Sequence, residues 1–523
     1  VTDRVGIDCT HDPGPPNVRF TPQIMGSGCA FLDFDGDGLL DLYLLQFGGP
    51  GSAAVNRLYR QIPGGRFEDV TAVSGLGLAG HCHGVAVGDV NNDGRPDVLV
   101  TRFGGLTLFL NTGGKFEDVS SGSGLDNPGW GTSAAFVDYD RDGRLDLMVV
   151  NYLEHNPGAE CTGPDGQKDY CGPSNLNAVT SRLFRNLGPG PGGRPRFEDV
   201  SVASGIGRVP GPGLGVACAD FDGDGWPDIF VANDGQPNRL WINRRDGTFA
   251  DEAPSRGAGY TATGKAYAGM GVALGDTANA GLLDVYVTHM NSQTHTLWRQ
   301  GPRGRFRDRT LEVGLAASEW RGTGFGTALA DFDNDGALDV TLVNGRVFHD
   351  SPAGDAAPGF FGRYGDRNQL FANDGTGHFR DVSGANPAVC GGWNVGRGLA
   401  IGDYDNDGGV DLLVTAVAGK ARLYRNVAPG RGHWLAVRAI DPAVNRDAYG
   451  AEVRVAAGGR EWLRLVNPGE SYLSSHAPHA LFGLGTATAV DAVRVVWPDG
   501  TRESFSGGAV DRQLVVRKGE GRS

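Results

Sequence analysis

A nine-residue acidic pattern occurs seven times along this chain, and seven copies of one turn constrain it to a repeat architecture. The copies read DFDGDGLLD from Asp33, DVNNDGRPD from Asp89, DYDRDGRLD from Asp138, DFDGDGWPD from Asp220, DTANAGLLD from Asp276, DFDNDGALD from Asp331 and DYDNDGGVD from Asp403. Successive starts lie 56, 49, 82, 56, 55 and 72 residues apart. A unit near the shorter spacing holds four short strands. The two long intervals carry insertions, around Cys161 and around Phe360.

The flanks repeat as well. An alternating small/apolar strand runs into each loop, as in GVAVGD ending at Asp89. A β-rich strand follows, such as Asp41-Leu42-Tyr43-Leu44-Leu45. Next comes an Arg-Leu-aromatic segment, starting at Arg57, Arg182, Arg239 and Arg422. The fourth segment reads FEDVT from Phe67, FEDVS from Phe116 and Phe197, and FRDVS from Phe379. Gly and Pro number 86 and 28 without a collagen period, which fits many strands joined by turns. The expectation is an all-β protein, a seven-bladed β-propeller with a small C-terminal β-sandwich domain. Its propeller spans 1–428, closed by an N-terminal strand, because Val1–Ile7 match the end of a fourth strand. From 429 to 523 the acidic loop is gone and alternating strands continue.

Positions 1, 3, 5 and 9 of the loop offer oxygen ligands, and a Gly at 6 permits the tight turn. That is the chemistry of a hard cation, Ca²⁺ above Mg²⁺ or Zn²⁺. The expected ligands are Asp33, Asp35, Asp37 and Asp41; Asp89, Asn91, Asp93 and Asp97; Asp138, Asp140, Asp142 and Asp146. The later copies add Asp220, Asp222, Asp224 and Asp228; Asp331, Asp333, Asp335 and Asp339; Asp403, Asp405, Asp407 and Asp411. The copy at Asp276 has Ala278 and Ala280 at positions 3 and 5 and is expected to bind nothing, leaving about six sites. These loops hold 23 of the 61 acids, so six divalent ions would nearly cancel the formal net charge of −14. An acidic chain argues against nucleic acid as partner, and no stretch is apolar enough for a membrane span.

Seven cysteines cannot all pair within one chain. Cys161 and Cys171 share a Pro/Gly-rich insertion, CTGPDGQKDYC, that a disulfide would staple. The chain opens at Val1 without a charged-then-apolar leader.

The repeat with its trailing FEDVT resembles the FG-GAP or VCBS calcium-binding repeat of integrin-like propellers. The C-terminal segment is similar to the ASPIC/UnbV module in AYGAEVRV from Ala448, Gly469-Glu470-Ser471-Tyr472-Leu473-Ser474, LFGLG from Leu481 and VRVVWPDG from Val493. Together they resemble the bacterial relatives of cartilage acidic protein. The resemblance implies calcium, seven blades and often secretion, with some relatives in natural-product pathways. A secreted or periplasmic location is the expectation, and a cytoplasmic one if the chain is a biosynthetic enzyme.

In a propeller the face opposite such loops usually carries the ligand site. Six residues before each loop stand Ser27, His83, Thr132, Leu214, Met270, Phe325 and Arg397, expected to ring the channel mouth. Trp130, Tyr267, Trp320, Trp393 and Asn394 are candidate ligand contacts for a small molecule, glycan or protein. An alternative reading is a cyclase-like or other acid–base enzyme using the same face. His81, His83 and His289 would then move protons, and Arg321 and Arg397 would hold an anion.

Overall fold

Each acidic loop joins two antiparallel strands, and the segments that follow, two in six copies and one in the last, extend the pair into a meander. In a computed structural model describing residues 1–349 and 359–522, this happens seven times. The first sheet runs Cys29–Leu32, Asp41–Leu44, Arg57–Ile62 and Arg66–Asp69. The innermost strands begin at Cys29, Cys82, Gly131, Gly213, Val272, Gly324 and Gly396, and each touches the next. The last touches the first, so seven blades close into a propeller.

Six blades have four strands; the seventh has three, Gly396–Gly402, Asp411–Ala416 and Arg422–Tyr424. The N-terminal segment expected as its outer strand is a short 3-10 turn, Thr2–Arg4. Register explains the difference. Val1 and Thr2 stand where Val70 and Thr71 stand in blade one, just past the outer strand. There the Leu58 N–H donates to Thr71 Oγ1 at 3.0 Å; in blade seven the Leu423 N–H donates to Thr2 Oγ1 at 3.0 Å. The Val1 ammonium donates to Leu423 O at 3.2 Å, as the Val70 N–H does to Leu58 O at 3.0 Å. Val5 O then accepts the Phe67 N–H, as Ser123 O accepts that of Phe197. The N-terminus thus bonds the last blade to the first through the turn that follows an outer strand.

The C-terminal part folds as two sheets around one apolar core. One sheet joins His433–Asp441 to Arg446–Asp447, Ala480–Gly485 and, in parallel, Arg512–Arg517. The other orders Arg460–Leu465, Glu452–Ala457, Ala489–Val496 and Arg502–Ala509. Between them lie Val453, Val455, Trp462, Phe482, Val493 and Trp497. The sandwich sits over the acidic loops. Arg446 Nε donates to Asn92 Oδ1 at 3.0 Å, and Glu452 pairs with Arg303 beside Asp220.

One connection of the sandwich enters the propeller. Ser471 exchanges backbone hydrogen bonds with Val272, Leu473 O accepts the Val85 N–H, and Ser475 exchanges bonds with Cys29 and Phe31. Tyr472 is fully buried at the tip. Its hydroxyl donates to Met25 O at 2.9 Å, and its ring lies 4.9 Å from that of Phe325. The segment from 467 to 476 is therefore a plug that fills the central channel.

Candidate metal centres and the opposite face

The four acidic positions of the loop do different work. The position-1 carboxylate caps the turn: Asp33 accepts the N–H groups of Gly36, Asp37 and Gly38. Asp276, in the copy lacking two acids, likewise accepts those of Ala280 and Gly281, at 2.7 Å each. The position-9 carboxylate is a staple between strands. Asp41 Oδ2 accepts the Phe34 N–H at 3.0 Å and Oδ1 the Gln61 N–H at 2.7 Å. Asp284 makes the same pair with Thr277 at 3.3 Å and Gln300 at 2.8 Å. Positions 1 and 9 therefore hold the backbone in every blade, and positions 3 and 5 distinguish a loop suited to an ion.

Five loops bring three carboxylates within 4.8 Å of one another: Asp33/Asp35/Asp37, Asp138/Asp140/Asp146, Asp220/Asp222/Asp228, Asp331/Asp333/Asp339 and Asp403/Asp405/Asp411. The second loop is not such a group, because its position 3 is Asn91, whose amide donates to Asp93 at 3.0 Å. Asp35 Oδ1, Asp138 Oδ1 and Asp405 Oδ1 are buried without a partner. An all-oxygen shell with orphaned acceptors fits Ca²⁺, which these aspartates would hold. Burial, with neighbouring carboxylates adding, pushes the Asp41, Asp339 and Asp411 carboxyls up to about 8. It pushes Asp89, Asp138 and Asp403 up to about 6.

Arginines missed in the sequence flank these loops. Arg60 and Arg185, in the third strands of blades one and three, and Arg425, just past that of blade seven, hold the outer oxygens of Asp35, Asp140 and Asp405 at 2.6, 2.7 and 2.5 Å. The recurrent Arg two residues past the Arg-Leu pair was the available signal. In the fifth loop Arg299 takes over: it lies 3.7 Å from Asp284 and bonds Thr277 Oγ1 at 3.3 Å.

On the opposite face, all seven residues expected at the mouth are buried. Leu214, Met270 and Phe325 pack on Tyr472 and Leu473 of the plug, under Ile24, Leu153, Tyr170, Phe361 and Tyr364. The last four come from the two insertions, one stapled by a Cys161–Cys171 disulfide. His83 is wholly buried against Phe47 and Trp130, and burial lowers it to about 3; His289, in blade five, is also lowered to about 3. His81 is half-buried and stacks on Phe47 at 4.6 Å. Arg397 spends its guanidinium on carbonyls, donating to Ile24 O, Gly345 O, Gly396 O and Arg346 O, and lies 3.9 Å over Phe325. Arg321 is exposed. Among the described residues no hydrogen bond or ring contact joins these five.

The candidate ligand contacts divide. Trp130 is buried and Tyr267 lies edge-on to His289 at 5.4 Å. Trp320, Trp393 and Asn394 come together through Asp366–Arg367. Arg367 pairs with Trp393 and Asp366 with Asn394; the Arg367 guanidinium lies 3.8 Å over Trp320 and 5.8 Å from Trp393. Trp393 and Asn394 line a cleft of about 600 Å³ between blades six and seven, with Phe360, Asn368, Lys420 and Tyr424. Asn394 Oδ1 is buried there without a partner.

Residues 441–523 match the model of the ASPIC and UnbV family, and residues 33–100, 89–149 and 220–287 match that of the FG-GAP-like repeat. Human cartilage acidic protein 1 is 29% identical over 317 residues, 58% of this chain and 43% of that protein. The mouse protein is 28% identical over 333 residues, 61% of this chain and 47% of its own length. The chain thus spans less than half the length of these relatives. An Agrocybe aegerita lectin that recognises non-reducing terminal N-acetylglucosamine aligns with a TM-score of 0.39 at 15% identity, over 77% of this chain and 96% of its own. No helix among the described residues is long and apolar enough to cross a membrane.

Proposed function

We propose that this chain, which is built of FG-GAP-like repeats and a C-terminal ASPIC and UnbV domain and is homologous to cartilage acidic protein 1, is a calcium-stabilised binding protein whose ligand site is the cleft between blades six and seven. The composition of the cleft carries this reading. Its described lining holds Trp393, Phe360, Asn368 and Asn394 with the cations Arg4, Lys420 and Arg422, but one carboxylate, Asp3, and no His, Cys or Ser. Acid–base turnover needs convergent titratable groups, and glycoside hydrolysis needs two carboxylates. An indole, amides and three cationic donors suit the hydroxyls of a saccharide, its ring stacked on Trp393 beside the Asn394 amide.

Calcium acts at a distance from this cleft, holding the carboxylates of six loops on the far face. The Cys161–Cys171 disulfide supports a location outside the cytoplasm. Calorimetry of a neutral saccharide panel on the calcium-loaded chain tests the site. Binding that Trp393→Ala and Asn394→Ala both weaken is expected. Binding indifferent to both, or turnover of a bound sugar, would refute it.

A further inference from the structure

An Asn or Gln at or near the end of each third strand lies between one acidic loop and the next. It is Gln61, Asn111, Asn186, Asn243, Gln300, Asn373 or Asn426, in blade order. In every blade its backbone N–H is held by the position-9 carboxylate of its own loop, at 2.7 to 2.9 Å. The same carboxylate holds the N–H of its own loop's position 2. In six blades the side-chain amide then crosses to the preceding blade and donates to the position-2 carbonyl of that loop. Asn111 reaches Phe34 O at 2.7 Å, Asn186 reaches Val90 O at 2.8 Å and Asn243 reaches Tyr139 O at 2.9 Å. Asn373 reaches Thr277 O at 2.9 Å, Asn426 reaches Phe332 O at 2.8 Å, and Gln61 crosses the ring closure to Tyr404 O at 3.0 Å.

The exception is blade five. Gln300 turns back to Leu283 O of its own blade at 3.1 Å, and its Oε1 is buried without a partner. The one broken link thus adjoins the one loop without acids at positions 3 and 5. The six loops assigned ions from their sequence, five with clustered carboxylates and the second with Asn91 at position 3, consequently form an unbroken series, from blade six through seven and one to blade four. The link ending on Thr277, at the empty loop, lies outside it.

We infer that Asn111, Asn186, Asn243, Asn426 and Gln61 are positioning residues that couple neighbouring ion loops, so that the six load as one cooperative series and not as independent sites. Position 2 lies between ligand positions 1 and 3, so a filled loop fixes the position-2 peptide. That fixes the carbonyl on which the next blade's amide rests. The backbone N–H of that same residue is anchored on the position-9 carboxylate of its own loop, which is then already ordered when its ion arrives. The inference rests on reading the loops as calcium sites.

The test is calcium titration of the full chain by calorimetry, with terbium luminescence as a second readout. Asn186→Ala cuts the series in its interior. Asn373→Ala removes a bond of the same chemistry that ends on the loop without ion acids. Asn186→Gln keeps the link with the side chain blade one already uses. The expected result is a cooperative wild-type isotherm and, for Asn186→Ala, lost cooperativity with affinity reduced about fivefold or more for some of the ions. Asn373→Ala and Asn186→Gln should keep the wild-type curve. A wild-type isotherm of independent sites, or equal effects of Asn186→Ala and Asn373→Ala, overturns the coupling. A wild type that takes up no calcium overturns the ion reading, and the coupling with it.

Discussion

Replacing Tyr472 by Ala should unseat the plug from the channel. The side chain is fully buried, with its ring on Phe325 and its hydroxyl on Met25 O. An aromatic side chain removes ~150–250 Å² from water, worth about 4–6 kcal/mol at ~25 cal/mol per Å² as an upper bound. Large-to-small aromatic substitutions in cores cost ~3–5 kcal/mol, cavity included. The two routes agree on about 4 kcal/mol. Tyr472→Phe keeps the ring and loses one hydrogen bond, which predicts about 1 kcal/mol. Denaturant unfolding, followed by fluorescence and far-UV circular dichroism, measures both; coincidence of the two curves checks that one transition is being read. A Tyr472→Ala protein within ~0.5 kcal/mol of wild type, or a Tyr472→Phe protein equally damaged, would refute the claim that the channel is sealed by packing on this ring.

The remaining predictions concern the acidic loops and the buried arginine. Burial raises the position-9 carboxyls of Asp41, Asp339 and Asp411 to about 8 and the position-1 carboxyls of Asp89, Asp138 and Asp403 to about 6, above the usual carboxylate range. The folded apo chain therefore holds more protons than the unfolded one, and its stability falls as pH rises from about 4 through 8. Calcium replaces those protons, so thermal melts should decline with pH in chelator and stay level in calcium; parallel profiles would contradict this. Asp284→Asn should lower stability by ~1–3 kcal/mol with or without calcium, because Asp284 works as a backbone staple. Asp35→Asn should lower it only in calcium, and paired melts separate the two. Arg397→Met orphans four carbonyls and should cost at least ~3 kcal/mol while leaving the calcium isotherm unchanged; an altered isotherm would show that Arg397 reaches the ion loops.

Most of the architecture was legible because the chain states its blade seven times. The acidic turn, the Arg-Leu-aromatic strand and the FEDV strand each recur, so a misread copy is corrected by the others. The division of labour inside the loop was not legible, since one residue type serves the turn, the staple and the ion. The copy at Asp276 held the clue: it discards acids at 3 and 5 but keeps Asp276 and Asp284. The plug escaped because its contacts are remote in sequence, with Leu473 meeting Val85 and Ser471 meeting Val272. Nothing periodic announces a segment that is neither strand nor turn of its own domain.

The opposite face shows why aperiodic insertions defeat inference from a repeat. Counting back from the loops placed Ser27, His83, Thr132, Leu214, Met270, Phe325 and Arg397 at the mouth, where each blade's inner strand does begin. What the repeat does not encode is the cover: Tyr472 from below, and Tyr170, Phe361 and Tyr364 from the insertions above. With both ends of the channel shut, Trp393 and Asn394 border a cleft between blades six and seven instead. His83 and His289 are too buried to carry a proton near neutral pH, and Arg397 is bound to backbone. These residues hold the blades in place, and the half-buried Trp320 and Trp393 of blades six and seven mark where the proposed ligand would be sought.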